Sequence, residues 1–120
     1  FKIGETWHMY AVSEEGSSAL WHLTSDDGIT FIVYAKTSFP MDDESVTPAN
    51  GIWIEDQFHL FVSTASGEIK SWSTKNGYDW YPDDDVRLSP DGDHALVKDP
   101  SIVELKDGSR LMIYVTDIID

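Results

Sequence analysis

Four histidines, two acidic clusters and an unusual number of aromatic rings are the side chains with chemistry to offer in this 120-residue sequence. His8, His22, His59 and His94 have no tight metal spacing. Trp7-His8 and Trp21-His22 do fall on segments expected to be neighbouring strands, where two imidazoles would supply half of a tetrahedral zinc site. Ordinary strand surface is the commoner fate of such a pair. Asp42-Asp43-Glu44 and Asp83-Asp84-Asp85 carry the oxygen ligands that calcium takes, yet neither has the spacing of a twelve-residue calcium loop. Runs of adjacent carboxylates are usually solvated tips, so no cofactor is expected, and calcium is the one metal these loops would suit. The absence of cysteine excludes disulfides, thiolate metal sites and a cysteine nucleophile. Five tryptophans and five tyrosines allow a carbohydrate platform, because sugar C–H faces stack on aromatic rings.

The elements that would position these groups read as strands. Short alternating or apolar runs, rich in β-branched and aromatic residues, recur between Gly, Pro, Asn and Asp punctuation, and helical periodicity is almost absent. Strands are predicted at Trp7–Ser13, Ala19–Thr24, Phe31–Ala35, Gly51–Glu55, Gln57–Ser63, Glu68–Ser73, Asp85–Leu88, Ser101–Leu105 and Ser109–Thr116. Glu55-Asp56 and Lys106-Asp107-Gly108 suit hairpins, and Asn76-Gly77 is a strong turn signal. The expected class is all-β and antiparallel.

The segments repeat with a period of about 50 residues, the size of one four-stranded propeller blade. TSDDGITF at Thr24–Phe31 recurs as STKNGYDW at Ser73–Trp80, and the stretch from Thr47 recurs from Asp99. The division is a partial unit over 1–46, a unit over 47–98 and a partial unit over 99–120, about 2.4 blades where closure needs about four or more. Either further chain or other copies are then needed to cover the open edges. Trp21, Phe31, Trp72 and Trp80 take equivalent core places. Trp53, between Ile52 and Ile54 on an inner strand, has one face free by alternation and is the aromatic selected for ligand binding.

Charge narrows the partners. Twenty-two acidic against eight basic residues give a net charge of −14, which repels phosphate backbones and argues against nucleic acid. No apolar run approaches the roughly 20 residues of a membrane-spanning helix.

The turn Thr24-Ser25-Asp26-Asp27-Gly28-Ile29-Thr30-Phe31 resembles the Asp-box of sialidases and related propellers. Ser73–Trp80 resembles a degenerate copy with Lys75 at the Asp position. Ser71–Thr116 is similar to sialidase-like and five-bladed glycosidase-like domains, and Ser89-Pro90-Asp91-Gly92 is similar to turns of other propeller repeats. The resemblance implies a β-propeller from an extracellular or cell-envelope protein. In the five-bladed glycosidases, an Asp before Pro at the start of an inner strand points into the central channel as a catalytic carboxylate. Asp99-Pro100 matches it, while the preceding repeat has Thr47-Pro48 there. His94, in the loop before Asp99, is the histidine selected for ligand contact. Glycoside hydrolysis needs two carboxyls, and sialidases use three arginines where only Arg87 and Arg110 occur. The expected function is glycan binding or assembly. The rivals are a glycoside hydrolase fragment in which Asp99 works with groups from other blades, and a self-assembling subunit that forms rings or filaments by strand exchange.

Overall fold

A computed structural model describes residues 1–14, 18–39 and 45–117. Its described strands are β1 (Lys2–Ile3), β2 (Thr6–Val12), β3 (Ala19–Ser25), β4 (Ile32–Ser38), β5 (Val46–Ile54), β6 (Gln57–Thr64), β7 (Ile69–Thr74), β8 (Tyr81–Pro82), β9 (Val97–Glu104) and β10 (Arg110–Thr116). All pairings are antiparallel, in sheets ordered β1-β2-β3-β4, β5-β6-β7-β8 and β10-β9. The chain is all-β and antiparallel, as its alternation predicts.

Strand ends differ from the sequence expectation where proline was taken as punctuation. β5 begins at Val46 and runs through Pro48; β9 begins at Val97 and runs through Pro100. Both are edge strands of their sheets, where a missing N–H leaves no ladder bond broken. The strand expected at Asp85–Leu88 is instead a single bridge between Leu88 and Ile69, because Tyr81–Pro82 already pairs with Ser73 and Trp72. β1 pairs with β2 over Lys2 and Ile3 only.

The second sheet is buried on both faces, which explains why β6 and β7 read as almost continuous apolar and small-residue runs. Phe58, Leu60, Val62 and Trp72 pack with Leu20, Phe39 and Val46 on the side of the first sheet, joined by Phe1, Tyr10 and Trp80. Phe61 and Ile69 pack with Val97 on the other side, together with Ile52, Leu88, Ile102 and Met112. Alternation along β6 divides the two clusters: Phe58, Leu60 and Val62 point one way, Phe61 the other. Each fully buried side chain of this size contributes roughly 1.5–3 kcal/mol. The indole N–H of Trp72 is buried with no acceptor among the described residues, a cost set against that packing.

Two turns of one design connect β3 to β4 and β7 to β8. In the first, Ser25 Oγ accepts from the Gly28 N–H at 2.9 Å, and Asp27 Oδ1 accepts from Ile29 and Thr30, both at 2.8 Å. In the second, Thr74 Oγ1 accepts from Gly77 at 2.9 Å, and Asn76 Oδ1 accepts from Tyr78 and Asp79, both at 2.8 Å. The working acceptors are thus Asp27 and Asn76, one residue beyond the Asp26 and Lys75 that the motif alignment selects. Asn76 does the same work as Asp27 without charge, because a carbonyl oxygen serves the two N–H groups equally well. Backbone N–H donation from Thr30 and then Ile29 holds the Asp27 carboxyl below its usual range.

Gly28 and Gly77 both take left-handed backbone, with φ of 76° and 84°. At Gly77 the missing side chain also makes room for a neighbour: a Cβ there would stand 2.6 Å from the His8 ring of the first sheet. The Tyr10 hydroxyl donates to the Gly77 carbonyl at 2.5 Å. Gly108, in the β9–β10 hairpin, has a φ of 87° but nothing within 4 Å of a built Cβ. Gly77→Ala is expected to cost about 2–4 kcal/mol, from left-handed strain and overpacking together. Gly108→Ala carries only the strain, about 1–2 kcal/mol. Urea denaturation of the two variants measures the difference, and equal losses would show that the His8 contact contributes nothing.

Candidate functional site

Asp99 owes its position to an irregularity in the β9–β10 ladder. Ser101 pairs with Ile113 and Lys98 with Val115, so Asp99 and Pro100 together face the single residue Tyr114. Such a bulge re-aims one side chain. Asp99 takes a φ of 51°, a left-handed conformation that aspartate tolerates better than most residues. Its N–H donates to Ser63 Oγ on β6 at 2.8 Å, while Pro100 is buried and Asp99 exposed.

Asp99 lines an open cleft of about 320 Å³ between β5, β6 and β9. Ser45, Thr47, Ser63, Thr64 and Lys98 line it too, although the Thr64 hydroxyl is engaged with Ser66 and the Glu68 N–H. Hydroxyls that donate and accept, beside one anion and one cation, match the hydrogen-bonding needs of a polyol. Asp99 is the only carboxylate lining the cleft among the described residues, so two-carboxyl hydrolysis is not assembled from them. Thr47 and Ser63 are directly opposite in the β5–β6 ladder. That pairing was the sequence signal for the hydroxyl lining, and residue-by-residue motif reading missed it.

β5 has an equivalent bulge, where Ala49 and Asn50 face Phe61. Counted from the bulges, Asp99-Pro100 corresponds to Ala49-Asn50, two residues beyond the Thr47-Pro48 of the sequence alignment. Asn50 is occupied structurally: its side chain donates to the Ile102 carbonyl at 3.3 Å and accepts from the Ile102 N–H at 3.0 Å, tying β5 to β9.

Trp53 and His94 are not gathered into the cleft. Trp53 lies at the hairpin end of β5, six residues and roughly 20 Å along the strand from Thr47. It is 41% exposed and packs edge-on against Phe58. His94 Nδ1 is 2.6 Å from Asp91 Oδ1, and the ring is half-buried in that contact. A larger groove of about 470 Å³ runs between the first sheet and β5, lined by Trp7, Phe31, Pro48 and Asn50 among others. Trp7 is committed there, its ring against Gly28 and beneath the Lys2 ammonium.

The remaining chemical candidates are engaged with one another. Asp83 Oδ2 accepts from Ser71 Oγ at 2.6 Å and lies 2.8 Å from His59 Nδ1. Burial pushes the Asp83 carboxyl up, but the bonds from Ser71 and His59 outweigh it and the net shift is downward. Asp83 is therefore not a free calcium ligand. Asp42-Asp43-Glu44 lies outside the described residues. His8 and His22 meet as their strand positions suggested, Nδ1 to Nε2 at 2.9 Å and both buried. No group of three or more metal-ligating side chains forms among the described residues. Of the two arginines, Arg110 pairs with Glu104 and Arg87 donates to the Asp85 carbonyl.

No protein-family model matches the sequence, and no curated protein matches it significantly.

Ser63 is the structural support of the cleft. Ser63→Ala leaves the Asp99 N–H without its acceptor and is expected to cost about 1–3 kcal/mol, measured as a lowered urea midpoint. An unchanged midpoint would show that the bulge needs no support from β6.

Proposed function

We propose that this chain is a segment of a sialidase-like β-propeller, extracellular or in the cell envelope, that binds glycan at the Asp99 cleft or assembles through its open sheets. The observation that carries the glycan reading is the bulge at Asp99: strained, left-handed backbone held by Ser63 sets an aspartate in a cleft lined by serine and threonine residues. Such conformations persist where the surroundings over-determine them, and they cluster at functional sites. The repeat reading draws support from two four-stranded sheets with the same polar turn, stacked face to face, and a third sheet continuing the stack. Three sheets are fewer than the four or more that close a ring.

The binding reading is tested with immobilised neutral oligosaccharides and sialylated ones. Retention of a neutral glycan is expected, with at least tenfold weaker binding by Asp99→Asn, which keeps a side chain that tolerates the left-handed backbone, at an unchanged urea midpoint. Sialylated glycans should not be retained, because the net charge of −14 opposes an anionic ligand. No retention of any glycan, or equal retention by Asp99→Asn, would end the assignment of Asp99 as a binding residue. For assembly, light scattering over a range of concentrations is expected to give a defined multiple of the 13.5 kDa chain mass. A monomer at all concentrations would remove self-assembly.

A further inference from the structure

Among the described residues, the His8–His22 pair is the fully buried titratable cluster that the glycan reading leaves unused. Both rings are almost wholly enclosed, at 3% and 1% exposure. Phe1 stacks on His8, Tyr10 stacks on His22, and Tyr34 and Tyr78 meet the His22 ring edge-on. Tyr78 also closes edge-on over His8. The Gly77 backbone rests against the His8 ring, with no space for even a methyl group. The seat of the β7–β8 turn on the first sheet is therefore built from two imidazoles.

A single N–H joins them. One nitrogen donates and the other accepts, which requires at least one neutral ring. Charging both would set two cations 2.9 Å apart in an aromatic shell. The charged groups nearby do not compensate. The Phe1 nitrogen donates to the His8 carbonyl at 3.0 Å and brings no negative charge. From the second sheet, Asp79 accepts from Asn76 at 2.7 Å and Lys75 pairs with Asp56 at 3.6 Å. Tyr10, Tyr34 and Tyr78 present rings to the pair and no carboxylate. No carboxylate hydrogen-bonds either ring among the described residues.

We propose that the His8–His22 pair is an acid-sensitive latch: with at least one ring neutral it seats Gly77 and Tyr78 on the first sheet, and doubly protonated it releases them. This inference is independent of the glycan reading. Burial holds both imidazoles below their usual 6.5, and burial followed by repulsion from His8 takes His22 to about 4. A group depressed in the folded state binds fewer protons than in the open one. Release is therefore favoured as pH falls from 6.5 towards 4, by up to about tenfold per pH unit for each imidazole that must charge.

The test is hydrogen exchange of the full chain from pH 7.5 to 4, corrected for intrinsic rates. Segments 6–12, 19–25 and 74–80 are expected to lose protection together below pH 6, while 110–116 keeps its own. His22→Phe should hold protection at 74–80 to lower pH, and His59→Gln should behave as wild type. Wild-type protection unchanged to pH 4, or lost at the same pH in His22→Phe, would overturn the latch. If His22→Phe does not fold, histidine ring NMR of the wild type decides. Titration of His8 and His22 well below 6.5, tracked by the Gly77 amide, supports the latch; ordinary titration, or a Gly77 amide that does not follow it, overturns it.

Discussion

The second sheet must bury both of its faces, and nearly everything else in the fold answers to that demand. A two-sided sheet has no polar face to offer water, so Phe58, Leu60, Val62 and Trp72 need the first sheet, and Phe61 and Ile69 need the third. Flat apolar contact alone would leave these layers free to slide. Their relative placement is fixed by polar details at the rim: the Tyr10 hydroxyl on the Gly77 carbonyl, and both sides of the Asn50 amide on Ile102. Each ties a side chain to a backbone group in the adjacent sheet, and only one relative position of the layers satisfies both partners.

The same stacking creates the cleft. Because β9 lies against β5 and β6, the bulge in β9 falls beside the Thr47–Ser63 pair of the second sheet. The bond from the Asp99 N–H to Ser63 Oγ joins site to core: it satisfies a donor that the bulge removes from the ladder, and it holds an unfavourable φ in place. Trp53 serves a different end of the same strand. The cleft end of β5 therefore does not collect every candidate that alternation alone would assign to it.

Much of this was legible in the sequence, and the misses share a cause. The hairpin and turn glycines mark the strand breaks, and the alternation of β2, β3 and β6 gives their faces. The meeting of His8 and His22 follows from placing Trp7-His8 and Trp21-His22 on adjacent strands. What failed was register. Pro48 and Pro100 look like breaks but sit on edge strands where no N–H is required, so β5 and β9 run several residues earlier than read. Bulges then displaced the repeat alignment by two residues at Asp99, and the turns themselves set their polar frame one residue on, at Asp27 instead of Asp26 and at Asn76 instead of Lys75. Side-chain type signals a turn. Which oxygen receives the N–H groups depends on backbone angles that residue identity leaves open.

The two ends of the stack set opposing demands. On the third sheet, Val103 and Leu111 are cross-strand partners with Ile113 two residues further on, and all three are exposed; on the first, Ile32 and Val33 are exposed as well. Contiguous apolar area of this kind favours a covering layer. A net charge of −14 opposes bringing another acidic chain close, and that repulsion is screened by salt while apolar burial is not. Association through either end should therefore strengthen as ionic strength rises, the reverse of an interface held by ion pairs, and the balance lies between a short-range apolar gain and a long-range charge cost.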